Sequence, residues 1–154
     1  QFNPAVDVDR MDTDAAVLNT VSHNLKPYFA RGGKLLMYHG WSDQQNPAST
    51  SVNYFTSVVS TVGQSAVGKS IQLYMVPGMN HCQGGVGTDT FDKVAVIEEW
   101  LARGRAPDHI VASHATDGKV DRTRPLCPYP QVAAYKGTGS TDEASNFSCR
   151  DDRR

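Results

Sequence analysis

The chain has 154 residues, of which 39% are hydrophobic and 20% charged, with a formal net charge of -1. That suits one soluble globular unit long enough to bury a core. With Lys and Arg scattered apart from the terminal Arg153-Arg154, it leaves no electrostatic case for nucleic acid or for an anionic membrane.

No apolar run approaches transmembrane length, and nothing in the first residues reads as a signal peptide. The opening Gln1-Phe2-Asn3-Pro4, without Met, reads as a mature or cut product. Residues 1–21 are polar and Asp-rich. Their only candidate anchors are Val6, Val8, Met11, Val17 and Leu18, so an irregular lead-in is expected. From Ser22 to Arg31 a short helix is expected, with Leu25 and Phe29 on one face, Pro27 in its first turn and Gly32-Gly33 ending it. Lys34 to Tyr38 is a strand. Its lack of alternation suits a parallel strand covered on both faces.

After a loop through Asp43 to Pro47, Val52, Phe55, Val59 and Val62 recur at helical spacing and Gly63 closes the helix. Ile71 to Val76 is a second buried strand, cut off by Pro77-Gly78. A Gly-rich loop follows. The next helix is expected from about Thr90 to Arg103, with Asp89 as N-cap and Val94, Ile97 and Leu101 as its buried stripe. Ile110 to Ala112 suggests a short strand. From residue 117 the composition turns to Pro, Gly, Ser and Arg, and an irregular tail over 117–154 is expected. Strand, helix, strand, helix over 22–116 implies an α/β fold, a parallel sheet covered by helices.

The chemistry concentrates after the two strands. Asp43 follows the first, in Tyr38-His39-Gly40-Trp41-Ser42-Asp43, and His81 follows the second, in Pro77-Gly78-Met79-Asn80-His81-Cys82. Open α/β sheets carry their sites at the carboxyl ends of neighbouring strands. A Ser-His-Asp hydrolase needs an imidazole to take the hydroxyl proton and a carboxylate to orient that imidazole. Alone, Asp43 is a turn or cap residue and His81 an ordinary loop histidine; arriving together, in the order acid then base, they point to a catalytic pair. The nucleophile is not visible, because no G-x-S-x-G elbow occurs. Ser42 and Cys82 are each adjacent to the group that would have to serve them, and adjacent side chains on a loop point apart. His39 is expected to make structural hydrogen bonds in its turn; Trp41 is expected to line the site or to join the core, with the core favoured. A metal site of His39, Asp43, His81 and Cys82 lacks the close ligand spacing of zinc motifs, so no metal is expected.

There are three cysteines. Cys127 and Cys149 lie in the tail, which has little to pack, where a disulfide helps most. Cys82 is left over, for a partner on another chain or as a reactive thiol. Asn146-Phe147-Ser148 is a glycosylation sequon.

Four stretches taken together resemble the tannase and feruloyl esterase family of α/β-hydrolases: Arg31 to Leu35, Tyr38 to Asp43, Pro77 to Cys82, and Arg124 to Pro130. They occur in the family's order and cover roughly residues 22–150. The resemblance implies a secreted carboxylic-ester hydrolase acting on hydroxycinnamic or gallic esters, or on another aromatic ester such as a terephthalate monoester. It implies Asp43 as the acid, His81 as the base, and Cys82 disulfide-bonded to a Cys beside the nucleophilic Ser. It also implies a Cys127–Cys149 bridge. The Cys-Ser segment and the family's lid domain, with its calcium site, do not occur here, so the resemblance is to a C-terminal part. The expected partners are an N-terminal chain carrying that Cys-Ser pair and an aromatic ester, with no cofactor in this chain. The competing expectation is an inert structural or binding fragment.

Overall fold

The structure, a computed structural model, describes residues 2–18 and 21–151. Its centre is a pair of parallel strands, β1 (Leu35–Gly40) and β2 (Ile71–Val76), in register from Leu35 opposite Ile71 to Gly40 opposite Val76. Every residue of β2 is buried, the polar Gln72 included, as in a strand covered on both faces. Its alternate side chains serve two cores. Ile71, Leu73 and Met75 pack with Phe55 and Val58 of helix α3 (Ser49–Val62). Tyr74 and Val76 face the other way, onto Met79, Phe91 and Val96. Two helices precede α3 in the chain, α1 (Pro4–Leu18) and the short α2 (Lys26–Ala30); α2 has Pro27 in its first turn, and Leu25 and Phe29 lean on the first core.

The second covering helix spans Lys93–Arg103, and its N-cap is Asp92 rather than Asp89. One Asp92 oxygen accepts from the backbone N–H of Val94 (3.0 Å) and Ala95 (2.9 Å). Asp89 instead takes the Gly84 N–H, which holds the preceding loop. The buried stripe is also rotated from expectation: Val96 and Trp100, four apart, are buried, while Val94 and Leu101 face solvent. The helix carries apolar residues on two stripes, and the one holding the larger side chain, Trp100, is the one that is buried.

Two expected irregular regions are ordered. Residues Pro4–Leu18 form a helix, not an irregular lead-in. Asn3 accepts from the Ala5 N–H (3.1 Å), Asp7 accepts from the Asn3 N–H (2.7 Å), and Pro4 stands just inside the start. Val6, Val8 and Met11 stay exposed on it. The expected anchors Val17 and Leu18 lie outside the residues whose side chains are described.

The tail is two antiparallel hairpins, Ile110–Thr116 with Lys119–Leu126 and Gln131–Tyr135 with Phe147–Asp151. The first straddles the boundary expected at 116/117, and Ile110, Ala112 and Leu126 enter the second core. The Tyr129 N–H donates to the Leu73 carbonyl (2.8 Å), tying the tail to β2. Cys127 and Cys149 are disulfide-bonded.

Candidate active site

The ends of β1 and β2 are stitched together by backbone. Past Gly40, the Trp41 N–H donates to the Val76 carbonyl (3.0 Å) and the Ser42 N–H to the Met79 carbonyl (3.1 Å). Only glycine fits at position 40. A Cβ there would stand 2.1 Å from the Met79 oxygen and 2.6 Å from that of Asn80. This close approach lets two loops that are distant in sequence place Asp43 and His81 side by side.

His81 Nδ1 lies 2.8 Å from Asp43 Oδ2. A carboxylate can only accept, so the proton of that bond sits on Nδ1, and the bond fixes the tautomer that leaves Nε2 as an acceptor. The Asp43 side chain is 2% exposed and that of His81 37%, so the acid is sealed while the base meets solvent. Asp43 Oδ1 accepts from the backbone N–H of Gln45 (2.8 Å) and Asn46 (2.9 Å). On the far side His39 Nε2 approaches the same Oδ2 at 2.9 Å, and His39 Nδ1 lies 2.7 Å from Ser51 Oγ. Burial pushes the Asp43 carboxyl up. The Asn46 N–H, the His81 bond, the Gln45 N–H and the His81 charge together outweigh it and hold the group well below the usual carboxylate range. Asp43 is therefore held as the carboxylate.

The His81 loop is tightly built. The Asn80 N–H donates to the Gly84 carbonyl (2.9 Å), the Gln83 N–H to the His81 carbonyl (2.8 Å), and the Gln44 amide to Asn80 Oδ1 (2.9 Å). Cys82 sits at φ 64°, a left-handed backbone that costs a non-glycine residue free energy. Its thiol is exposed and pairs with no cysteine of this chain.

Asp43 and His81 are thus brought together, with Cys82 beside them, while Cys127–Cys149 lies in the tail. The Asn146 amide nitrogen donates to the Ser140 carbonyl (2.9 Å) and to Glu143 (3.3 Å). His39 lies in β1 rather than in the turn and bonds forward to Asp43 and the Asn46 carbonyl in the loop that follows; its reach to Ser51 is additional. Trp41 is not core: it is 50% exposed and lines a cleft of about 430 Å³ with Met75, Pro77, Arg122 and Tyr129. Ser51 and Asn46 carry no sequence signal of their roles. The local hint for His39 is its spacing, four residues before Asp43 across the end of β1. The nitrogens of His39 and His81 converge on one oxygen atom, not on a shared centre. Among the described residues no group of three or more His, Cys, Asp and Glu could hold a metal ion.

Residues 3–150 match the family described as tannase and feruloyl esterase. The chain is 44% identical over 131 residues to mono(2-hydroxyethyl) terephthalate hydrolase from Piscinibacter sakaiensis, covering 83% of this chain and 21% of that protein. It is 29% identical over 140 residues to a tannase from Aspergillus oryzae, covering 81% of this chain and 23% of that protein. Among solved structures it resembles feruloyl esterase B from Aspergillus oryzae, with a TM-score of 0.76 at 26% identity over 85% of this chain and 29% of the other. An esterase from the same organism superposes with a TM-score of 0.80 at 25% identity, covering 97% of this chain and 34% of that one. The chain thus spans between a fifth and a third of the length of these relatives.

Proposed function

The chain belongs to the tannase and feruloyl esterase family, with its α/β-hydrolase fold, and from that premise we propose that it carries the acid and base of a serine esterase for aromatic acid esters. The observation that carries this reading is the 2.8 Å bond between Asp43 and His81, formed where two neighbouring parallel strands end, on a His81 side chain that is partly exposed. A serine on an N-terminal segment or chain completes the set, and that part together with this chain is the assembled enzyme.

In the proposed reaction His81 Nε2 takes the serine proton as the hydroxyl oxygen attacks the ester carbonyl. Asp43 stabilises the imidazolium that forms. His81 then returns the proton to the departing alcohol, leaving an acyl-enzyme. Water hydrolyses that intermediate with His81 again acting as base.

The exposed Cys82 thiol, immediately after the base, is placed for a disulfide to a cysteine beside that serine. Such a bond would limit drift between nucleophile and base, where misplacement by about 1 Å is costly. Two of the named relatives carry an aromatic acid in their names, terephthalate and ferulate, and a third is a tannase, so a ferulate, gallate or terephthalate monoester is the substrate class, with a feruloyl ester first. The proposed reaction draws on no cofactor in this chain, and the calcium site that the family resemblance implies is assigned to the lid of the N-terminal part. A secreted enzyme accords with the Cys127–Cys149 disulfide. In that setting Asn146 is a glycan acceptor, at the loss of one of its two amide bonds.

The test is hydrolysis of methyl ferulate, a gallate ester and a terephthalate monoester by this chain alone and by the assembled enzyme. The chain alone is expected to be inactive. In the assembled enzyme His81→Ala should lose several orders of magnitude in kcat. Near-normal turnover in that variant would remove His81 from the mechanism.

A further inference from the structure

Asp43 has a second imidazole neighbour that the acid–base reading does not use. Both oxygens of the carboxylate are fully engaged. Oδ1 takes two backbone N–H groups of its own turn, and Oδ2 lies between His81 Nδ1 (2.8 Å) and His39 Nε2 (2.9 Å). The His39 ring is fixed in turn. Its side chain is 13% exposed, and Ser51 Oγ, in the first turn of α3, stands 2.7 Å from its Nδ1. Nε2 must carry a proton to face a carboxylate. With the ring neutral, Nδ1 then accepts from the Ser51 hydroxyl. One connected path therefore runs from α3 through Ser51, His39 and Asp43 to His81.

We propose that His39, held by Ser51, is a positioning residue for the reaction: it fixes the rotation of the Asp43 carboxylate so that Oδ2 is already aimed at His81 before the ester binds. This rests on the assignment of Asp43 and His81 as acid and base. The backbone donors hold Oδ1 but leave the carboxylate free to tilt about it. The His39 bond removes that freedom from the side opposite His81. A carboxylate oriented in advance costs no reorganisation as the imidazolium forms. The sequence Ser51, His39, Asp43 also has the make-up of a nucleophile, base and acid. We assign it to positioning because the base facing solvent is His81, not the largely enclosed His39.

The experiment compares His39→Leu, His39→Gln and Ser51→Ala in the assembled enzyme. Glutamine can return an N–H donor near the position of Nε2, and leucine cannot. His39→Leu should lower kcat by up to about 10²-fold with KM little changed. His39→Gln should recover most of that loss, and Ser51→Ala should fall between the two. The low-field proton resonance of His81 Nδ1–H should broaden or vanish in His39→Leu and persist in His39→Gln.

Wild-type kcat in His39→Leu overturns the proposal. So do equal losses in the leucine and glutamine variants, or labelling of Ser51 by a phosphonate ester reagent. Should His39→Leu fail to fold, Ser51→Ala decides, and an unchanged kcat with an unchanged His81 resonance rejects the role. The two assignments fail separately. Activity in His81→Ala sinks the acid–base reading, whereas an inactive His81→Ala beside a normal His39→Leu sinks only this one.

Discussion

Gly40→Ala adds a single methyl where two loops touch. The new carbon would stand 2.1 Å from the Met79 carbonyl oxygen, 2.6 Å from that of Asn80 and 2.7 Å from the Met79 carbonyl carbon. All three are backbone atoms, so no side chain can swing clear. Restoring ordinary contact requires the segments to part by about 1 Å or more. They would part where Trp41 and Ser42 bond to Val76 and Met79, and where Asp43 reaches His81. A misplacement of about 1 Å in a catalytic pair costs roughly 10²-fold in turnover. Overpacking of this kind costs about 1–3 kcal/mol in stability. Ester hydrolysis by the assembled enzyme, with urea unfolding of the same preparation, reads both quantities. Turnover should fall about 10²-fold, more than the stability loss alone would leave unfolded at 25 °C. Wild-type turnover with an unchanged unfolding midpoint would refute the claim that this contact sets the Asp43–His81 distance.

Further outcomes concern charge, core and tail. Asp43 has a folded pKa below its unfolded value of 3.8, so its contribution to stability is complete above that value, begins to fall as pH drops below it, and is gone only once pH has fallen through the lower folded pKa. Asp43→Asn should therefore show a flatter loss of urea-unfolding free energy from pH 6 to pH 3 than the parent, and parallel profiles would contradict this. Trp100 is wholly buried, so Trp100→Ala should cost about 3–5 kcal/mol in urea unfolding, and a loss under 1 kcal/mol would place the core elsewhere. The Cys127–Cys149 bond closes a separation of 22 residues, so the double Cys127→Ala, Cys149→Ala variant should lose about 2–4 kcal/mol; no change would mean that the hairpins hold without it.

The parallel pair was legible because its signal is local. Five of the six residues from Ile71 to Val76 are apolar, with Gln72 the exception, and a short run of that kind reads as a strand covered on both faces. Asp43 and His81 were legible for the same reason, since each follows such a run. What was not legible depends on distant partners. The strand Lys119–Leu126 reads as charged loop, and becomes a strand only because Ile110–Thr116 lies opposite it and draws Leu126 into the core. Asp89 and Asp92 are equally good caps on paper, and the Gly84 N–H removes one of them. The first helix is started by Asn3, Pro4 and Asp7, a cap signal outweighed by the lack of apolar anchors. Ser51 lies twelve residues beyond His39, a contact set only by how α3 packs.

The central claim, that one carboxylate and one imidazole act as a unit, is tested most directly by a double-mutant cycle on kcat in the assembled enzyme. If the account is right, Asp43→Asn with His81→Ala costs no more than His81→Ala alone, because a carboxylate without its imidazole has nothing left to orient. Losses that simply multiply would mean that the two side chains act independently, and the account would fail.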